Sequence, residues 1–123
     1  MPASRAPMKF SPPFAGIDGP EALAAVFAAP GLSLLYLHDP WCPINSRARS
    51  ELSALQGPIH SVDVSVQHDL KHEVARRTGI RHESPQAILL RDGEPVWNAS
   101  HHRITHNAAY EALAAAAEDI DAH

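Results

Sequence analysis

The 123-residue sequence predicts a single α/β domain in which helices flank a central mixed four-stranded sheet. The prediction rests on short apolar runs that alternate with helical patterns, and on a hairpin signal late in the chain. Residues 1–20 hold five of the eleven prolines, so we expect a Pro-rich N-terminal lead-in without regular structure there. Residues 21–123 are then expected to form one domain, which is an ordinary length for a domain.

The first half of the chain predicts a helix, a strand and a second helix. A helix over residues 21–29 follows from apolar positions three and four residues apart, and the apolar run 32–37 is typical of a strand buried on both faces. The next helix begins after Cys42 and has apolar residues at helical spacing, namely Ile44, Ala48, Leu52 and Leu55. Cys42 is therefore expected in the turn between a buried strand and a helix N-terminus.

The second half of the chain predicts three strands, the last two joined by a hairpin, and two helices. A β-branched strand is expected over Ile59–Val64, and a helix over Asp69–Thr78 that ends at Gly79. A third strand, Gln86–Leu90, leads through a hairpin at Asp92-Gly93 into a fourth strand, Pro95–Ser100. The last helix, 105–120, is capped by Thr105. The resulting order, αβαβαββα, is that of the thioredoxin-like fold, an inference by analogy of topology.

Composition and charge exclude several classes of protein. The chain is 45% hydrophobic and 20% charged, which is ordinary for a globular protein. Its net charge is −4 and its basic residues are scattered, so we expect no nucleic-acid partner. The early apolar run 22–29 is too short for a membrane span and lacks the basic flank of a secretory signal, so we expect a cytoplasmic protein with no membrane partner.

Cys42 is the only cysteine, so the chain cannot form an internal disulfide or a four-cysteine zinc site. A thiolate is the reactive form of cysteine, and the free amides at a helix N-terminus stabilise it. Pro43 suits the first turn of that helix, where its missing N–H costs no hydrogen bond. A lone cysteine could also be a small buried apolar residue, but a Pro-flanked loop favours a reactive thiol, and Cys42 is our candidate catalytic residue.

Asn45 stands where the second cysteine of a Cys-x-x-Cys redox motif would be, so a resolving thiol has to come from outside the chain. We expect substrate contacts from the residues around the thiol and from a Ser-Pro pair that opens the third strand, namely Trp41, Pro43, Asn45, Ser84 and Pro85. A proline at that place is commonly cis and presents a backbone edge to an extended substrate. His38 and His82 are candidate neighbours of the thiolate.

Nine histidines raise the alternative of a metal site. His68 and His72 would share a helix face, and a second cluster comprises His101, His102 and His106. No third ligand stands at a recognisable metal-site spacing, so we interpret these side chains as solvated and predict no metal.

Several segments resemble the monothiol bacilliredoxins of the YtxJ-like family, within the thioredoxin-like superfamily. The run Trp41–Asn45 is similar to the family's Thr-Cys-Pro-Ile-Ser motif, and Arg81–Gln86 is similar to its more specific His-Glu-Ser-Pro-Gln run. The closing hairpin Asp92–Trp97 and the stretch Ser100–Thr105 are also similar. This chain departs from the family at Trp41, where the family has threonine, and at Asn45, where it has serine.

The resemblance implies a thiol-disulfide oxidoreductase with bacillithiol as co-substrate and no bound cofactor. Cys42 would take bacillithiol from mixed disulfides on bacillithiolated proteins and would be reduced again by a low-molecular-weight thiol or a partner reductase. A different class of function stays open, namely a non-catalytic thioredoxin-fold module for interaction or redox sensing.

Overall fold

The computed structural model describes residues 14–55 and 58–121, which build a five-stranded sheet with helices on both faces. The strand order is β1-β3-β2-β4-β5. The elements are β1 Phe14–Gly16, α1 Pro20–Ala28, β2 Leu32–His38, α2 Pro43–Ser53, β3 Ile59–Asp63, α3 His68–Thr78, β4 Gln86–Arg91, β5 Glu94–Ser100, a 3₁₀ turn His101–Arg103, and α4 His106–Asp121.

The central strand β2 is buried on both faces, as its continuous apolar run predicts. It lies parallel to β3 on one side and antiparallel to β4 on the other, so the sheet is mixed. Leu34 and Tyr36 pack into the cluster that also holds residues of α2 and α4. Leu35 and Leu37 point the opposite way, into the cluster with residues of α1 and α3.

The sheet has five strands rather than the predicted four, because β1 adds an edge strand. β1 pairs parallel with β3, Phe14 lying opposite Ile59, and the N–H of Ile17 donates to the carbonyl of Ser61 at 2.8 Å. The expectation that residues 1–20 lack regular structure averaged the prolines over the whole stretch. No proline lies between Pro13 and Pro20, so the backbone donors of β1 are all present. Residues 1–13 of the lead-in lie outside the described residues.

The predicted turns and caps are confirmed where the backbone demands particular residues. Gly79 ends α3 in the left-handed conformation with φ 72°. Asp92 and Gly93 have φ 52° and 83°, as a tight hairpin requires, and a Cβ at Gly93 would lie 2.3 Å from the carbonyl oxygen of Phe27. The hydroxyl of Thr105 accepts from the N–H of Ala108 at 3.1 Å, which caps α4.

One edge of the sheet gathers the segments that the sequence singles out. The strand pairings place His38 beside Asp63, Leu37 beside Gln86, and Gln86 beside Ser100. The turn with Cys42 follows His38, and the Ser84-Pro85 pair precedes Gln86, so both loops emerge at this edge. In the part of the chain that the structure describes, no helix is long and apolar enough to cross a bilayer.

Candidate active site

Cys42 is the N-cap residue of α2, with extended backbone angles of φ −90° and ψ 123°. Its N–H donates to the carbonyl of Asp39 at 3.0 Å, and its own carbonyl accepts from the N–H of Asn45 at 3.0 Å. Pro43 occupies the first turn of α2, as predicted. Cys42 is partly exposed as a residue, and its side chain makes no capping hydrogen bond to the helix.

Trp41 is 85% exposed, although it is a large apolar side chain directly before the thiol. Its N–H donates to the side-chain carboxylate of Asp39 at 3.0 Å, which fixes the backbone leading to Cys42. Pro43, on the other side of the thiol, is exposed as well. Two exposed apolar side chains thus flank Cys42, which suits contact with a partner molecule.

Asn45 is only 8% exposed, and the substrate contact expected of it stays a prediction. The expectation of such a contact followed from its nearness to Cys42 in sequence. On α2, however, the face that packs against the sheet includes Asn45, Ala48 and Leu52. The side-chain oxygen of Asn45 accepts a hydrogen bond from the hydroxyl of Tyr36. The structure therefore places Asn45 beneath the thiol, on the core side of the helix.

Tyr36, the donor in this hydrogen bond, was not singled out by the sequence. It is fully buried, and burial raises the pKa of its phenol; the charges of Arg49 and Cys42 act on it in opposite directions, lowering and raising it respectively. The phenol therefore stays protonated and keeps its proton for Asn45. A buried tyrosine hydroxyl usually needs a partner, which is the signal that could have predicted a polar residue opposite it.

Around Tyr36 lies a group of aromatic and charged side chains. The Tyr36 ring stacks on His38, with ring centres 5.4 Å apart, and tilts against Phe14 at 5.5 Å. The guanidinium of Arg49 lies 4.2 Å from the centre of the Phe14 ring. Burial lowers the pKa of His38, partly opposed by the nearby carboxylate of Asp63, so its imidazole is neutral at neutral pH.

The Ser84-Pro85 peptide bond is cis, as expected from its place before the third predicted strand. Pro85 is buried, and its carbonyl accepts from the N–H of His101 at 3.0 Å. His101 thus enters the site region through its backbone, a contact between segments distant in sequence that reasoning from motifs missed.

Two buried polar atoms near this loop, Oγ of Ser84 and Nδ1 of His82, have no hydrogen-bond partner among the described residues. Burial lowers the pKa of His82, and the positive charge of Lys71 lowers it further. A buried polar atom without a partner costs free energy, so these two atoms make the loop less stable than a fully bonded one would be.

The histidines of the metal alternative gain no further ligand. Within residues 14–55 and 58–121, no three histidine, cysteine, aspartate or glutamate side chains are grouped closely enough to hold a metal ion. The ring of His106 instead stacks on Tyr110, with ring centres 6.0 Å apart.

Solved structures with thioredoxin folds resemble the whole domain. One described as a candidate oxidoreductase with a thioredoxin fold shares 26% identity and has a TM-score of 0.71, over 80% of this chain and 92% of the other. A mutant thioredoxin from Halobacterium salinarum NRC-1 has 18% identity and a TM-score of 0.67, covering 85% of this chain and 92% of its own. The Malassezia sympodialis thioredoxin has 15% identity and a TM-score of 0.65, over 81% and 87% of the two chains.

The family model of the monothiol bacilliredoxin BrxC matches residues 17–109. This range includes the turn with Cys42, the Ser84-Pro85 loop and all strands from β2 to β5. The fold and the family together support a thiol oxidoreductase. Since the match spans more than half of the chain, the protein belongs to the monothiol bacilliredoxin family BrxC.

Proposed function

We propose that the protein removes bacillithiol from mixed disulfides on other proteins, with Cys42 as the nucleophile. The observation that carries the proposal is the position of the chain's only cysteine, which is partly exposed at the N-terminus of α2 beside the exposed Trp41. Free amides at a helix N-terminus stabilise the thiolate that does the attack. Membership of the monothiol bacilliredoxins supports bacillithiol as the co-substrate.

The reaction is two successive thiol-disulfide exchanges. The Cys42 thiolate attacks the bacillithiol sulfur of the mixed disulfide, a new S–S bond forms to Cys42, and the target cysteine leaves as a thiolate that takes a proton from water. A second thiol, as its thiolate, then attacks the bacillithiol sulfur on Cys42. This step releases the Cys42 thiolate and forms a disulfide between the two small thiols, so one disulfide replaces another and electrons balance.

The second thiol comes from outside in this proposal, because Asn45 holds the place of a resolving cysteine. Its side chain accepts a hydrogen bond from Tyr36 and offers no sulfur. Bacillithiol is the direct source of the second thiol, and a partner reductase would recycle the resulting disulfide. We propose the cytoplasm as the site of this cycle, since cysteines are kept reduced there by small thiols.

The surrounding residues have separate proposed roles. Trp41 and Pro43 are exposed and contact the incoming thiol or protein. Ser84 offers its backbone groups for pairing with an extended segment of the protein substrate, and Pro85, whose carbonyl is bonded to the N–H of His101, contacts that segment beside it. Asn45 is a positioning residue that acts through Tyr36 and α2, rather than a substrate contact as its sequence position indicates.

The experiment is intact-mass measurement after exposure to a protein that carries bacillithiol on one cysteine, with Cys42→Ser as the control. We expect one bacillithiol adduct on the wild-type protein, removed by added bacillithiol, and none on Cys42→Ser. The same target carrying glutathione serves as a comparison. Equal rates with both targets would reject bacillithiol specificity, and an unreactive Cys42 would leave an interaction or sensing module.

A further inference from the structure

A small polar pocket of about 240 Å³ lies between the segment that follows α3 and strand β5. Most of its lining is charged or amide-bearing, in contrast to the apolar interior on either side of the sheet. The residues that matter here are Arg81, Glu83, Gln86, Asn98, Ser100 and Arg103.

The pocket adjoins the Ser84-Pro85 loop, since Glu83 and Gln86 of its lining stand on either side of that pair. Gln86 directly follows Pro85 and pairs with Leu37 near the end of β2 on one side and with Ser100 on the other. The side-chain amide of Gln86 donates to the carbonyl of Arg81 at 2.9 Å, which fixes the backbone of the pocket wall. The N–H of His101 donates to the carbonyl of Pro85, which ties the turn ending at Arg103 to the same loop.

The charge of the pocket is positive although the whole chain has a net charge of −4. Arg81 and Arg103 are both exposed, and among the described residues neither lies within ion-pair distance of a carboxylate. Glu83 is the one carboxylate of the lining, and it is engaged by a hydrogen bond from Ser100, which lowers its pKa, as do the charges of His101, Arg103 and Arg81. Two guanidiniums therefore face one occupied carboxylate, and an added anion is favoured.

We propose that this pocket binds an acidic side chain of the protein whose mixed disulfide reacts with Cys42. The inference rests on the proposed function, in which the Ser84-Pro85 loop pairs with an extended segment of that protein. Alternate side chains of such a segment point to the same face, so one of them reaches past Pro85 into the pocket. A carboxylate in the pocket would accept hydrogen bonds from guanidinium groups. The planar guanidinium matches the geometry of a carboxylate better than the ammonium group of a lysine does.

The test compares two peptides that carry the same small thiol on one cysteine and differ only in flanking residues, glutamate in one and glutamine in the other. We expect kcat/KM for the acidic peptide to exceed that for the neutral one by roughly threefold to tenfold at low ionic strength. The preference should vanish in the double variant Arg81→Gln, Arg103→Gln and at high salt. The rate with the neutral peptide should stay unchanged.

The double variant Arg76→Gln, Arg77→Gln is the matched control, because it also removes two positive charges, from the part of α3 where both arginines pair with Glu73 outside the pocket lining. Loss of the preference in this control as well would reduce the effect to overall charge and overturn the proposal, as would equal rates for both peptides in the wild type. Titration calorimetry of both peptides with Cys42→Ser protein gives a readout that needs no reaction. An unreactive Cys42 together with tighter binding of the acidic peptide would refute the proposed function alone.

Discussion

Trp41 and Asn45 stand on either side of Cys42 in sequence, and both differ from the motif of the family. In the structure Trp41 is 85% exposed, whereas Asn45 is 8% exposed and accepts a hydrogen bond from the buried Tyr36. Trp41 belongs to the turn before α2, whose backbone is held by Asp39. Asn45 lies one turn into α2, on the face that packs against the sheet.

The difference indicates that the two departures act on different quantities. An exposed side chain contributes to binding and little to folding, since its surroundings are already water. A buried amide bonded to a buried phenol contributes to folding, because either partner alone would be left unsatisfied. Thus Trp41 is expected to affect which molecules reach Cys42, and Asn45 to affect how firmly α2 holds the thiol against the sheet.

The largest expected effect is a change of the site's chemistry by Asn45→Cys. Residue 45 is one helical turn from Cys42, at the spacing of a Cys-x-x-Cys disulfide, so a mild oxidant should join the two and remove both free thiols. Thiol titration and intact mass measure this. Ser46→Cys is the control, since residue 46 is exposed and at the wrong spacing, and should keep both thiols. Two free thiols in Asn45→Cys after oxidation would show that the sulfur atoms of residues 42 and 45 cannot approach each other closely enough to form a disulfide.

The next largest effect concerns stability. Asn45→Ala removes the side-chain acceptor of the Tyr36 hydroxyl and leaves it the longer contact to the backbone carbonyl of residue 45 at 3.3 Å, so we expect a loss of about 1 kcal/mol in the free energy of unfolding. Tyr36→Phe should cost less, and the double variant should cost less than the sum of the two single ones, because both changes remove the same hydrogen bond. Urea denaturation measures all three. If the two losses simply added up, Tyr36 and Asn45 would not interact in solution.

The element order and the location of Cys42 follow from the sequence because their signals are local. Apolar spacing, the turn residues Asp92 and Gly93, and the cap Gly79 each act within a few neighbours, and the predicted elements from residue 21 onward are found. β1 gives no such signal. Its three residues pair through the backbone with β3, and their side chains show no alternation long enough to detect.

Within the site, the sequence predicts backbone positions but does not indicate which side chains are buried. The cis bond before Pro85 and the N-cap position of Cys42 are both found. The burial of Asn45 depends on Tyr36, which arrives from β2, and the backbone contact of His101 with Pro85 joins two loops. Such contacts are set by how elements pack together, and no single stretch of sequence contains them.

Trp41→Ala tests the role of the exposed residue beside Cys42. We expect kcat/KM with a protein mixed disulfide to fall by roughly threefold to tenfold, since an exposed tryptophan at an interface loses a large apolar contact on truncation. The free energy of unfolding should change by no more than about 0.5 kcal/mol. Tyr110→Ala, which also removes an exposed aromatic side chain but from α4, should leave the rate unchanged. A large loss of stability in Trp41→Ala would contradict the inference that Trp41 affects binding and Asn45 affects folding.

The smallest expected effect is a pH dependence of the free energy of unfolding that arises from His38, which stacks on the buried Tyr36. Burial lowers the pKa of His38 in the folded protein, so the unfolded chain binds more protons below the ordinary histidine pKa of about 6.5. Stability from this residue is therefore complete above that pH and is lost as the pH falls through the lower folded value. The free energy of unfolding should decline between pH 7 and pH 5, and His38→Asn should flatten the decline more than His102→Asn, whose side chain is exposed. If the free energy of unfolding fell equally steeply with pH in both variants, His38 would lie in solvent-like surroundings, and the buried group would be limited to Tyr36 and Asn45.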